Sequence, residues 1–221
     1  MISLTNITKD FRDGNTVLHV LKPTTVTFNS HELCAIIGPS GSGKSTLLTI
    51  IGALQKPTTG GLVIDGKDVY ALAERDRSAL RFEKIGFVLQ GSNLIPYLTV
   101  IEQFQLKLKQ ARSRDFAFLD TLLQTLDIAS LRNKYPDEIS GGERQRVAIG
   151  LALLLKPKIL LADEPTASLD TERANEAVKL LRKVASELGT SVVMVTHDER
   201  MLVYCNRVLS MSDGTLSETH S

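Results

Sequence analysis

An apolar segment followed directly by a glycine-rich loop constrains the fold more than any other feature of this chain. Residues 33–37 read LCAII, and residues 38–46 read GPSGSGKST, which contains no large apolar side chain. A short, fully apolar run of this kind is typical of a strand inside a parallel sheet. The loop after it is too polar and too rich in glycine to be buried, so it is a candidate for binding a ligand.

The loop matches the pattern G-x-x-x-x-G-K-[ST] at Gly38, Gly43, Lys44 and Ser45. Glycines allow backbone N–H groups to curl around phosphate oxygens, and the helix after the loop points its positive end at them. Lys44 is expected to reach the β- and γ-phosphates, and Ser45 to ligate Mg²⁺. An ordinary Ser-Gly turn would not need a lysine and a hydroxyl at fixed positions. The predicted nucleotide-binding residues here are Gly38, Ser40, Gly41, Ser42, Gly43, Lys44, Ser45 and Thr46.

A second apolar run, ILLADE at residues 159–164, ends in two acids. Two carboxylates at the end of a strand are often plain surface residues, but beside a phosphate loop they have a chemical use. We expect Asp163 to hold Mg²⁺ through its water shell. Glu164 is expected to lie near the γ-phosphate and to orient or deprotonate the attacking water.

The pattern of elements predicts an α/β fold with a parallel sheet covered by helices on both faces. Predicted strands cover 33–37, 84–90, 158–163, 191–196 and 207–211, and predicted helices cover 44–54 and 171–188. Between 91 and 156 the strand patterns vanish and apolar residues recur at helical spacing. We therefore expect one domain, 1–221, with a core of 1–90 and 157–221 and an inserted helical subdomain of 91–156. The early alternation at Ile2, Leu4 and residues 25–28 predicts further strands, with a turn at 12–15 and a hairpin at Asp65-Gly66.

Composition excludes several partners and locations. The net charge of +1 gives no basis for binding nucleic acid or an anionic membrane surface. The longest apolar run, residues 147–155, is too short to span a bilayer, and residues 1–10 lack the pattern of a signal peptide. Cys34 and Cys205 are expected to be free thiols in a reducing compartment.

The segment ISGGERQRVAIG at 139–150, followed by DEPTASLD at 163–170, resembles the signature of ATP-binding-cassette (ABC) ATPases. The resemblance covers nearly the whole chain with all motifs in order, whereas kinases and GTPases share the glycine loop but lack SGG. Within the family, GSNLIPYLTVIE at 91–102 is similar to the macrolide-exporter and lipoprotein-release group. The implied fold is a P-loop NTPase core with an N-terminal antiparallel β subdomain and an inserted α-helical subdomain.

The resemblance also implies roles for residues whose position alone says little. Phe11 would stack on adenine, Gln90 would touch Mg²⁺ and the attacking water, and His197 would contact the γ-phosphate. Ser140, Gly141 and Gly142 would contact the nucleotide of a second copy, and Ser168, Leu169 and Asp170 match the loop that crosses to that copy. The implied catalytic residues are Lys44, Gln90, Glu164 and His197; the implied metal ligands are Ser45, Gln90 and Asp163; Asp170 joins the nucleotide-binding set.

By the same resemblance, the chain hydrolyses ATP with Mg²⁺ as part of a head-to-tail dimer that closes on ATP. A separate membrane permease would dock near Gly91–Glu102, placing the chain peripherally at the cytoplasmic face of the cell membrane. Export of a hydrophobic compound, such as haem, a drug or a peptide, or release of lipoproteins, is the favoured role. One alternative is a mechanotransmitting ATPase that regulates cell-envelope enzymes. Another is an ABC ATPase acting on DNA or the ribosome, which the single cassette and the lack of heptads or a basic tail disfavour.

Two departures from the family pattern concern the signature helix. Residues 150–153 read GLAL where the family usually has ARAL, so Leu151 replaces a common arginine. Glu143 and Arg144 replace the commoner glutamine pair. Neither change involves Lys44, Asp163, Glu164 or His197, so hydrolysis is still expected.

Overall fold

Two β-sheets form the framework of the chain. The computed structural model describes residues 1–14, 16–167 and 169–219. The strands are β1 (Ile2–Asp13), β2 (Thr16–Phe28), β3 (Leu33–Ile37), β4 (Thr59–Ile64), β5 (Lys67–Asp68), β6 (Ile85–Val88), β7 (Ile159–Asp163), β8 (Ser191–Val195), β9 (Arg207–Ser212) and β10 (Thr215–Glu218). The helices are α1 (Lys44–Ile51), α2 (Glu74–Lys84), α3 (Val100–Gln110), α4 (Phe116–Thr125), α5 (Gly141–Leu153) and α6 (Thr171–Leu188), with 3₁₀ turns at Ala129–Leu131, Pro136–Glu138 and Glu199–Tyr204.

The larger sheet has six strands in the order β10-β9-β3-β8-β7-β6. Strand β3 pairs in parallel with β8 on one side and with β9 on the other, and β7 lies in parallel between β8 and β6. Only β10 runs antiparallel, as the second strand of a hairpin with β9. The predicted parallel sheet is confirmed, and the apolar run at 33–37 lies at its centre.

Alternate residues of the parallel strands pack into two separate cores, as the period of two in a strand requires. On one face Ala35, Leu160 and Met194 pack with α5, α6 and the helices between β6 and β7. On the other face Ile36 and Leu161 pack with α1 and with the smaller sheet. The prediction of helices on both faces is therefore confirmed, and on this second face α1 and α2 share the core with the smaller sheet.

The smaller sheet is antiparallel, with the strand order β2-β1-β4-β5. Strands β4 and β5 are joined by the predicted hairpin, in which Asp65 has φ 53° and Gly66 has φ 78°. Two successive positive φ angles are what a tight two-residue hairpin turn requires. Of the turn predicted at 12–15, Asn15 lies outside the described residues.

The segment between β6 and β7 is helical wherever it has regular structure. Helix α3 begins with a capping box, in which the Thr99 hydroxyl accepts from the Glu102 N–H and the Glu102 carboxylate accepts from Thr99. Helix α5 approaches β6 closely at Gly86, where an added Cβ would lie 2.7 Å from the carbonyl oxygen of Ala152. The glycine thus lets the signature helix pack directly on the backbone of the sheet.

Several predicted boundaries were wrong. Helix α1 ends at Ile51 instead of residue 54, and β6 ends at Val88, so Gln90 lies two residues beyond the strand. Helix α2 and strand β10 were not predicted at all. Leu80 is the one buried residue of α2, so the sequence lacks the apolar stripe that would predict this helix.

Both cysteines are free, as predicted; Cys34 is buried and Cys205 is half-buried. Burial raises the pKa of the Cys34 thiol to about 12 and that of the Cys205 thiol to about 11. High thiol pKa values make both groups poor nucleophiles. No helix in the described ranges is long and apolar enough to cross a membrane.

We expect Gly86→Ala to lower the free energy of unfolding by about 1–3 kcal/mol, because the new methyl group must push α5 away from β6. Gly61→Ala is the matched control, since a Cβ at this strand glycine meets no atom within 4 Å. Urea denaturation followed by circular dichroism measures both. Equal stability of the two variants would contradict the close packing of α5 on β6.

Candidate functional site

The conformation of the loop after β3 requires glycine at two positions. Gly38 has φ 147°, and a Cβ there would lie 2.0 Å from the carbonyl oxygen of Met211 in β9. Gly43, directly before α1, has φ 105°, and a Cβ would lie 2.9 Å from the carbonyl oxygen of Val20 in β2. The loop can therefore turn between these two strands only because both positions lack a side chain.

A pocket of about 370 Å³ lies over this loop and the first turn of α1. It is lined by Val20, Gly38, Ser40, Gly41, Gly43, Lys44, Ser45, Thr46, Asp163, Glu164, Val195 and His197. All of these except Val20 and Val195 were predicted from the sequence. Ser42 was predicted to bind the nucleotide, but its side chain is buried and does not line the pocket.

The ammonium group of Lys44 is anchored by the loop itself. Its Nζ donates to the carbonyl oxygen of Gly38 at 2.8 Å and to that of Pro39 at 2.7 Å. These bonds fold the side chain back over the loop, so the positive charge lies beside the N-terminus of α1. A cation and a helix N-terminus at one place form a site for phosphate oxygens.

Two adjacent carboxylates face this positive charge. Asp163 is the last residue of β7, and Glu164 after it has φ 48°, a left-handed conformation that costs a non-glycine residue about 1–3 kcal/mol. The Glu164 N–H donates to the carbonyl oxygen of Val195 at 3.0 Å, which holds the turn against β8. The strained turn brings both side chains to the pocket.

Burial and the negative charge of Glu164 raise the pKa of Asp163, while Lys44 acts in the opposite direction. A divalent cation would favour the ionised carboxylate. The Ser45 hydroxyl and the Asp163 carboxylate, both on the pocket, are the hard oxygen ligands that Mg²⁺ prefers together with phosphates and water. The residues present therefore fit Mg²⁺ bound with a nucleotide. No group of three or more His, Cys, Asp or Glu side chains suited to a metal exists in the part of the chain that the structure describes.

Histidine 197, two residues after β8, pairs with Glu164. The imidazole Nδ1 of His197 lies 3.0 Å from Oε1 and 2.9 Å from Oε2 of the carboxylate. This hydrogen bond, and then the charge of Glu164, raise the pKa of His197. The pair can thus hold a proton close to the position that the γ-phosphate and the attacking water would occupy.

Several predicted residues do not line the pocket. Phe11 is opposite Leu18 on the β1–β2 hairpin, is 39% exposed, and lies 5.1 Å from the Lys9 ammonium measured to the ring centroid. Gln90 is exposed in the loop after β6. Ser168 lies outside the described residues. Their roles stay predictions.

The signature segment also lies away from the pocket of its own chain. Ser140 caps α5 through a capping box with Glu143, and the next two residues, Gly141 and Gly142, begin the helix. None of these lines the phosphate pocket. Asp170 caps α6 with its side chain alone, since its carboxylate accepts from the Arg173 N–H at 3.0 Å.

The model of the ABC transporter family matches residues 21–167. The chain belongs to the ABC transporter family. It is 40% identical over 220 residues to the putative hemin import ATP-binding protein HrtA of Staphylococcus haemolyticus, covering 97% of this chain and 98% of HrtA. It is 38% identical to the lipoprotein-releasing ATP-binding protein LolD of Shewanella frigidimarina, covering 98% and 92% of the two chains.

Two further relatives extend the comparison. The macrolide export ATP-binding/permease protein MacB of Rhodopirellula baltica is 40% identical over 99% of this chain, which covers 33% of MacB. A structure of the dimeric cassette MJ0796, in a post-hydrolysis state with ADP and Pi, superposes with a TM-score of 0.83 at 36% identity and full coverage of both chains. The predicted relationship to the macrolide-exporter and lipoprotein-release group is confirmed, and so are the ABC ATPase fold and activity.

We expect Glu164→Gln to lower the pKa of His197 toward its ordinary value, because a neutral amide replaces the carboxylate beside the ring. Titration of the imidazole C–H signals by NMR measures the shift without any turnover, with His197→Asn assigning the signal. The other histidine signals serve as internal references. A pKa of His197 that is equal in the wild type and in Glu164→Gln would contradict the pairing.

Proposed function

We propose that this ABC ATPase binds two ATP molecules between two head-to-tail copies and that hydrolysis of ATP separates the copies. The observation that supports this is the separation of the two halves of the site. The phosphate loop and its carboxylates share one pocket, whereas Ser140 to Gly142 open a thirteen-residue helix elsewhere on the chain. The N-terminus of α5 is suited to an anion, and a γ-phosphate held by a second copy would supply it.

Within each site, the positive and negative side chains would have different roles. Lys44 and the first turn of α1 would bind the phosphates, and Glu164 would orient or deprotonate the attacking water, with Gln90 reaching the same water after closure. His197 would donate to the γ-phosphate while its Nδ1 stays on Glu164. Mg²⁺, held by Ser45 and Asp163, supplies charge neutralisation of the phosphates when bound.

We expect Glu164→Gln to bind ATP, to run as a dimer in ATP, and to hydrolyse it at least about 100-fold more slowly, because the base is lost. Sedimentation velocity with ATP or ADP measures assembly, and phosphate release measures turnover. The wild-type chain should show a cooperative dependence of rate on ATP, since each site needs both copies.

Two variants control this experiment. Glu199→Gln removes a carboxylate of the same type that is exposed and does not line the pocket, so it should behave as wild type. Lys44→Ala should lose ATP binding and with it the dimer. A Glu164→Gln chain that hydrolyses ATP at the wild-type rate would show that Glu164 is not the base.

We further propose that the dimer works at the cytoplasmic face of the cell membrane and drives a separate permease. The name of MacB joins an ATP-binding part and a permease in one polypeptide, and this chain covers only the share of MacB given above. The names of LolD and MacB favour release of lipoproteins or export of a hydrophobic compound as the process, whereas the name of HrtA gives hemin import. In this arrangement the ATPase supplies the energy, and the permease would select the cargo.

The loop and helix start at Gly91–Glu102 are the proposed docking segment for that permease. Tyr97 is 77% exposed, and Pro96 beside it is also exposed. Leu94 and Leu98 are half-buried, and Leu94 packs against the larger core, so they hold the segment in place. The proposed subdomain 91–156 would then connect the permease to the signature helix.

We expect Tyr97→Asp to abolish recovery of a membrane partner after detergent solubilisation, because a charge would replace an exposed aromatic contact. Val203→Asp is the matched control, since Val203 is 74% exposed and lies in another part of the chain. Affinity purification and mass spectrometry measure recovery. Unchanged recovery with Tyr97→Asp would rule out this segment as the contact.

A further inference from the structure

A cavity of about 420 Å³ lies between α6 and the part of the proposed helical subdomain where α4 ends and α5 begins. None of the residues that line it lines the phosphate pocket, so it is a separate space. Clefts between two structural units are common places for small ligands. The cavity is therefore a candidate for a second binding site.

Gln145, near the start of α5, has a hydrogen-bond donor without an acceptor. The residue lines the cavity and is only 4% exposed. Its amide Nε2 is buried and has no hydrogen-bond partner among the described residues. A buried amide donor that is left unpaired costs free energy. The terminal torsion of glutamine is soft, so a small rotation would turn this donor toward a ligand in the cavity.

The cavity also has an excess of positive charge. Its charged lining residues are Arg146, Arg173, Lys179 and Lys183 against Asp127 and Glu176. Arg146 contacts both carboxylates, at 3.2 Å and 3.8 Å. Lys179 lies 5.5 Å from the ring centroid of Tyr204, and across residues 1–14, 16–167 and 169–219 neither Lys179 nor Lys183 forms an ion pair within 4.0 Å. Like charges four residues apart on a helix repel each other, and an anion beside them would offset this repulsion.

Apolar side chains complete the lining of the cavity. Leu126 is buried, and Leu169 and Leu180 are half-buried and pack against the larger core, so all three are held in place. An inorganic anion would leave this apolar surface uncovered, whereas a purely apolar molecule would leave Gln145 and the lysines without a partner. The lining thus fits an organic anion with an acidic head and an apolar body.

We propose that the cavity binds a small amphipathic organic anion, whose acidic head pairs with Lys183 and accepts from Gln145, and that the bound anion weakens assembly of the ATP dimer. Binding is argued from the cavity alone, whereas the effect on assembly rests on the proposed function. Gly142 connects the two, because it lines the cavity and lies in the first turn of α5. A negative charge beside this turn lowers the positive potential that would attract the γ-phosphate held by the second copy.

Titration with anilinonaphthalenesulfonate, a fluorescent amphipathic anion, tests the site. Saturating ADP and Mg²⁺ are present throughout, so that the dye cannot occupy the phosphate pocket. We expect one saturable site per chain. Lys183→Met should weaken dye binding about 10-fold, because a charged partner of the head is lost, and Gln145→Leu should weaken it about 3-fold.

Controls separate binding from folding. Arg182→Met removes the same charge from α6 at an exposed residue that does not line the cavity, so it should bind the dye as the wild type does. Lys183→Met should keep its ATPase activity without dye, since Lys183 is exposed and away from the phosphate pocket. Melting curves by circular dichroism check that each variant is folded. Equal dye affinity of the wild type, Lys183→Met and Gln145→Leu would overturn the site.

Sedimentation velocity of Glu164→Gln with increasing ATP measures the effect on assembly. Saturating dye should raise the ATP concentration at half-assembly about 3-fold, and adding Lys183→Met to the same chain should remove most of this increase. An unchanged ATP dependence at saturating dye would overturn the effect on assembly and leave the site intact. A Glu164→Gln chain that stays monomeric in ATP without dye would overturn the proposed dimer and the effect on it, while the dye titration alone decides the site.

Discussion

The close contact of the phosphate loop with the strands on both sides of it is the constraint on which the rest of the site depends. A Cβ at Gly38 would collide with the carbonyl oxygen of Met211, and one at Gly43 would collide with that of Val20. The loop is therefore held between the two sheets, and its position fixes the start of α1. Because β3, β7 and β8 are parallel neighbours, their carboxyl ends meet at the same edge. This edge brings Asp163, Glu164 and His197 to the phosphate loop.

The pocket is a balance of opposed charges that an ATP–Mg²⁺ complex would complete. Lys44 and the N-terminus of α1 attract phosphate, whereas burial and the charge of Glu164 raise the pKa of Asp163 against the opposing effect of Lys44. Glu164 keeps a strained backbone, and strain of this kind is retained where the surrounding structure fixes it. The Val195 carbonyl and His197 are the contacts that hold Glu164. These contacts fix the carboxylate of Glu164, the proposed base, at the pocket.

The core of the fold could be predicted from the sequence because its signals are local. The run at 33–37 became β3 without change, and α6 covers the predicted 171–188, with Gly189 at φ 68° directly after it. Helix α2 escaped prediction because nearly all its residues are polar and its one buried residue is Leu80. Strand β10 could have been predicted, because Asp213 (φ 47°) and Gly214 (φ 75°) form a two-residue turn that joins it to β9, the same signal as at Asp65 and Gly66.

The residues of the candidate site also fall into those that the sequence predicts and those that it does not. Its charged residues lie in recognisable motifs, but Val20 and Val195 carry no chemical signal, and only the folding of two distant strands places them on the pocket. What the sequence could not supply is the set of distances between separate elements.

The most direct test of the account is a crosslink between the two halves of the proposed composite site. Two differently tagged Glu164→Gln chains are mixed, one with Ser40→Cys on the phosphate loop and one with Ser140→Cys at the signature helix. The native thiols interfere little, since burial keeps their pKa values at about 12 and about 11. With a mild oxidant added to accept the two electrons, the account predicts a disulfide between the two chains that forms with ATP and Mg²⁺ and not with ADP. A disulfide that forms equally without ATP, or Ser40→Cys chains that link only to each other, would contradict the head-to-tail arrangement.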